Sequence, residues 1–154
     1  MYPEKLEMLI NGRWCQGGDG QSQPLLNPAT EEVLAEVPLA SAADLDEAIN
    51  ASAEGFRIWR NTTPVARQGI MEKAARLIEG QVDDISRTLT MEMGKPLAQA
   101  KIELDFVVAV TRWYAEEGKR AYGRIVPAQV PGVRQMVMKE PVAPACAFVA
   151  WNFP

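Results

Sequence analysis

Residues 139–154 read KEPVAPACAFVAWNFP, and inside them 145–151 (ACAFVAW) form a continuous apolar run after Pro141 and Pro144. A short apolar run without alternation, bounded by prolines, has the pattern of a strand covered on both faces in a parallel sheet. Such a strand needs layers above and below it, and the residues before it supply helices. The expected fold class is therefore α/β.

Working outward from that run, Pro96 can open a helix in which Ile102, Phe106, Ala109, Val110 and Trp113 line one face. Leu104, Val107, Val108 and Tyr114 line the other, and a helix apolar on two faces is expected to be sandwiched between layers. Its far end, 116–120 (EEGKR), reads as a solvated helix end, and Arg112 within the apolar stretch as structural. Ser41 with Asp44 resembles a capping box for a helix running to about Arg60, with Leu45, Ala48, Ile49, Ala53, Phe56 and Trp59 at helical spacing. Thr63-Pro64 caps the next helix, whose expected stripe is Ile70, Ala74, Leu77 and Ile78, with Gly80 a weak point. The pattern resumes through Val82, Ile85, Leu89 and Met93, and Gly94 is placed to stop it in a left-handed conformation.

Further out, 6–10 and 13–15 flank Asn11-Gly12, the signature of a two-residue hairpin turn. Residues 24–26 and 33–37 flank the turn sequence NPATEE at 27–32. Beyond Gly123 the texture changes to proline-bounded apolar runs, which suit a ribbon of edge strands.

The chain has 154 residues, 47% of them hydrophobic, and a formal net charge of −4. This is the profile of one globular domain or a large part of one. A pI near 5.0 offers no basic surface to neutralise phosphates, so nucleic acid is not an expected partner. The most apolar helical stretch, 106–115, falls well short of the roughly 20 residues of a membrane span, so no membrane is expected either. The N-terminus lacks the basic and apolar regions of a signal peptide, and two distant cysteines, Cys15 and Cys146, suit a reducing cytoplasm. With no histidine and no ligand-like cysteine spacing, no metal is expected, and a Ser-His or Cys-His nucleophile is excluded from this stretch. The end directly after an apolar run, without a polar tail, is expected to be a cut inside a longer chain.

Asn152 follows the apolar run at the carboxyl end, where open α/β sheets place their ligands. Its carboxamide is either a turn former ahead of Pro154 or a neutral donor for a developing oxyanion. Cys146, inside the expected buried strand, should be an inert thiol, and Cys15 structural. Gly94-Lys95 lacks a glycine-rich cradle and reads as a helix stop rather than a phosphate contact.

The run KEPVAPACAFVAWNFP resembles the segment leading into the cofactor site of the NAD(P)-dependent aldehyde dehydrogenases. LINGRW, LLNPATEEVLAEVP, EMGKPLAQAKIEL and WYAEEGKRAYGRIVP resemble stretches of the N-terminal part of those enzymes in the same order, so the resemblance covers essentially the whole chain. The last of them is most similar to members related to succinate-semialdehyde dehydrogenase. Glu31 departs from the family pattern, standing where glycine is usual after NPAT. Ala143-Pro144 and Ala150 also depart from it.

The resemblance implies the N-terminal part of an aldehyde-dehydrogenase-like dinucleotide-binding domain. Residues 1–122 would be its hairpins and helical layer, 123–142 a β-ribbon oligomerisation arm, and 143–154 the first strand of the dinucleotide-binding sheet. It implies a chemistry in which a cysteine adds to a small aldehyde and an Asn side chain with a backbone N–H holds the thiohemiacetal oxyanion. Hydride then passes to NAD or NADP, and water hydrolyses the thioester. Asn152 matches that catalytic Asn. Val149, Ala150, Trp151 and Asn152 would lie along the dinucleotide, although Trp151 is equally well read as core packing. The nucleophilic Cys and general-base Glu would lie downstream, and the intact enzyme would be a homo-oligomer, dimer or tetramer. The alternative is a non-catalytic interaction module of helices and ribbon. Alone, 1–154 is expected to aggregate or be partly molten, because the strand's edges lack partners.

Overall fold

Asn11 and Gly12 both take positive φ angles, 51° and 73°, and join β1 (Met8–Ile10) to β2 (Arg13–Cys15) in the expected tight hairpin. The computed structural model describes residues 2, 3, 5–150 and 152. A second hairpin pairs β3 (Ser22–Leu26) with β4 (Val33–Pro38), its register irregular between Leu25 and Leu26. Asn27 closes the NPATEE loop between them. Its Oδ1 accepts from the Ala29 N–H at 2.9 Å, its carbonyl accepts from the Glu31 N–H at 2.8 Å, and its own N–H donates to the Glu32 carbonyl. This closure holds Glu31 at φ 61°, where a side chain is strained and glycine is not.

Four helices follow: α1 (Ala42–Asn61), α2 (Pro64–Glu79), α3 (Val82–Met93) and α4 (Leu97–Glu117). The capping box is present. Asp44 N–H donates to Ser41 Oγ, and the Asp44 carboxylate accepts from the Ser41 N–H at 2.8 Å and the Ser41 hydroxyl at 2.7 Å. The same carboxylate accepts from the Gly18 N–H at 2.7 Å, tying the first hairpin's exit to α1. These hydrogen bonds, Gly18 foremost, hold Asp44 below the usual carboxylate range. Thr63 caps α2 ahead of Pro64, and Gly94 ends α3 at φ 75°.

The core lies where α4 crosses α2 and α3, and it is built from Ala75, Ser86, Leu89, Ala100, Leu104, Val108 and Ala115. Ala75 and Ala100 are fully buried, and their small size lets the helices approach closely. Arg112 has the structural role expected of it, bridging from α4 to Glu79 at 2.7 Å and Glu72 at 3.4 Å on α2. Lys101 reaches Asp83 on α3 at 2.5 Å.

The structure departs from the sequence reading in several places, and on α1 Leu45 and Ile49 of the expected stripe are more than half exposed. On α2 the inward residue is Ala75, while Ile70 and Leu77 of the expected stripe are more than half exposed, because close helix contact selects the small side chain over the large ones. On α4 one apolar face packs on α2 and α3, but Ile102, Phe106 and Trp113 on the other are uncovered, so the helix is not sandwiched within this chain. The expected strand at 145–151 carries no ladder over its described residues, 145–150, which are exposed. Among the described residues the strands form three separate antiparallel ribbons, so this run has no neighbour to pair with. Cys146 is accordingly exposed rather than buried. The third ribbon, β5 (Arg124–Pro127) with β6 (Arg134–Val137), pairs Arg124 with Val137 and Pro127 with Arg134. It leaves Ile125, Met136 and Met138 about three-quarters exposed. No helix among the described residues is long and apolar enough to cross a membrane.

Candidate functional site

Between α3 and α4 the chain turns within three residues. Gly94 takes the left-handed conformation, its N–H donating to the Thr90 carbonyl at 2.9 Å, and Pro96 caps α4 with extended ψ. A Cβ at Gly94 would also press on Pro28 Cγ at 3.2 Å, so the NPATEE loop packs against this corner. The helix stop expected at Gly94-Lys95 is present, and Gly94 accounts for it. Lys95 does something else. Its side chain is only 9% exposed and ion-pairs with Glu103, one-tenth exposed, two turns along α4.

The same Lys95 Nζ donates to the main-chain carbonyl of Asn152 at 3.0 Å, joining positions 57 residues apart. Asn152 is exposed and lies in a turn, and among the described residues no hydrogen bond engages its carboxamide. The backbone is held while the amide stays available to donate. A groove of about 420 Å³ lined by Lys95, Gln99, Ile102, Glu103 and Phe106 runs along this side of α4.

Of the other sequence-predicted site residues, Val149 is 69% exposed, Ala150 is exposed and Trp151 lies outside the described residues. Among the described residues, 139–150 make no backbone–backbone hydrogen bond. Cys15 is half-buried, its Sγ donating to the Met8 carbonyl at 3.5 Å, as a structural thiol would. A hollow of about 630 Å³ is lined by Pro3 and residues of α3 with Leu97, and none of the predicted site residues lines it.

Sequence reasoning missed Lys95 and Glu103 as site residues. Nothing local in the sequence marks them, because the pair and the Asn152 carbonyl meet only in the folded chain.

Comparison with known proteins places these features in context. The model of the aldehyde dehydrogenase family matches residues 14–154. The 4-(hydroxymethyl)benzenesulfonate dehydrogenase of Comamonas testosteroni is 40% identical over 96% of this chain and 31% of its own length. The NADP(+) succinate-semialdehyde dehydrogenase of Escherichia coli is 36% identical over the same shares. Among solved structures, an aldehyde dehydrogenase from Brucella melitensis biovar abortus 2308 superposes with a TM-score of 0.83 at 41% identity, over 86% of this chain and 28% of that one. The chain thus spans about 31% of the length of the curated relatives it matches.

Proposed function

The chain belongs to the aldehyde dehydrogenase family, and from that premise we propose that it serves as the N-terminal segment of an enzyme oxidising a small aldehyde to a carboxylic acid with NAD or NADP. The observation that carries this reading is the state of Asn152, with its backbone tethered through its carbonyl and its carboxamide unengaged among the described residues. A neutral N–H donor fixed in this way stabilises an oxygen as negative charge develops on it, without needing a proton transfer of its own. When a cysteine from outside this chain adds to the aldehyde carbonyl, the Asn152 amide would donate to that oxygen.

Val149, Ala150, Trp151 and Asn152 would hold the dinucleotide, partly through main-chain atoms. When bound, that group supplies the hydride acceptor. The E. coli relative's name specifies a semialdehyde and NADP(+), and a semialdehyde is the substrate class proposed here. The family match supports this reading over a free-standing interaction module. The β5–β6 ribbon would be an oligomerisation arm, its exposed Ile125 and Met136 covered by another subunit of a cytoplasmic dimer or tetramer.

The test is Asn152→Ala in the enzyme carrying this segment. Expected is a fall in kcat of about 10²- to 10³-fold, or about 2.7–4 kcal/mol, with dinucleotide affinity nearly unchanged. A kcat within about threefold of wild type, with chemistry shown to be rate-limiting, would return Asn152 to the role of a turn residue.

A further inference from the structure

We infer that the Lys95–Glu103 pair is a positioning device that sets the backbone of Asn152 and so aims its carboxamide at the reacting oxygen, an inference that rests on the proposed role of Asn152. The local fold does not require a lysine at this point. Gly94 stops α3 by its left-handed backbone and Pro96 starts α4, whatever side chain stands between them. Stability does not account for the charges either. Both Lys95 and Glu103 are about nine-tenths buried, and a buried ion pair is commonly no more stabilising than apolar side chains of the same volume. What the charges provide is direction. Glu103, fixed on α4, holds the ammonium in one place, and the ammonium still has a donor for the Asn152 carbonyl.

That contact falls where it is needed. Residues 139–150 make no backbone–backbone hydrogen bond among the described residues, so no ladder fixes the approach to Asn152 in this chain. An oxyanion donor works only when held close to its productive position before charge develops, within about half an ångström. A charge-assisted hydrogen bond to the donor residue's own carbonyl supplies that constraint from a rigid helix corner. The contact Lys95 makes with Asn152 is to its main-chain carbonyl, so it acts through Asn152.

The experiment is a cycle in the enzyme carrying this segment. Lys95→Met and Glu103→Leu are introduced together, so that neither member of the pair stays buried without the other, with and without Asn152→Ala. The pair variant should lower kcat by about tenfold or more while leaving KM for aldehyde and dinucleotide within about threefold, and should speed amide exchange at 145–152. Added to Asn152→Ala, it should cost nothing further, because the group it positions is gone. Glu103→Gln, which keeps Lys95 but loosens its hold, should show a smaller loss of kcat in the same direction. An unchanged kcat, unchanged exchange at 145–152, or losses that multiply in the combined variant would overturn the positioning role. A strong Asn152→Ala effect beside a silent pair variant overturns this inference alone, whereas a silent Asn152→Ala overturns the oxyanion reading and this inference together.

Discussion

The segment from 124 to 150 is richer in apolar residues than the helical block, 42–117, yet it is the block that holds the core. In the block every helix satisfies its backbone within itself, and α4 gathers Ala75, Ser86, Leu89, Leu104 and Val108 into a core. In the later segment β5 and β6 have only each other, and Val142 and Phe148 are almost fully exposed. The difference is one of hydrogen-bond reach. A helix brings its own partners, whereas a strand borrows them, so apolar character alone orders the first region and not the second.

That contrast can be broken by mutation. Leu104→Ala removes a 7%-exposed side chain from the centre of the block and should destabilise the chain by about 2–5 kcal/mol in urea denaturation. Phe148→Ala, at a residue 97% exposed, should stay within about 0.5 kcal/mol. Equal effects would mean that the second region has a core of its own.

Next in size is the α1 cap. Ser41→Ala should cost about 1 kcal/mol of stability. Its partner Asp44 has a folded pKa below its unfolded one, so its contribution is complete above the ordinary Asp value of about 3.9 and is lost as pH falls through the folded value. Asp44→Asn should therefore flatten the acid limb of a stability–pH profile, and an unaltered limb would remove the Gly18–Asp44 tether from the account.

A smaller effect than the cap's is expected at the hairpin loop. Glu31→Gly relieves a φ of 61° and should raise stability by about 0.5–1 kcal/mol, read as a higher denaturation midpoint. A lower midpoint would show that the Glu31 side chain outweighs its backbone strain.

What was legible in the sequence follows the same division. Asn11-Gly12, Ser41 with Asp44, Thr63-Pro64 and Gly94 announce local geometry through local chemistry, and each sits where it was read. The inward face of α2 was not legible, because apolar size favours Ile70 and Leu77 whereas the helix crossing favours Ala75. The ladder expected at 145–151 depends on strands distant in sequence or absent from the chain, and no local pattern specifies those. The role of Asn152 is proposed from position and family resemblance. Lys95 was passed over because what distinguishes it is a pair of partners, Glu103 and the Asn152 carbonyl, that only the folded chain brings together.

The central claim is that the segment leading to Asn152 serves a bound dinucleotide. Amide hydrogen exchange at 145–152 tests it most directly, measured in the enzyme carrying this chain, with and without NAD or NADP. The expected result is slower exchange at 145–152 with the dinucleotide, while α4 is protected in both states. Exchange at 145–152 that is indifferent to dinucleotide would contradict it.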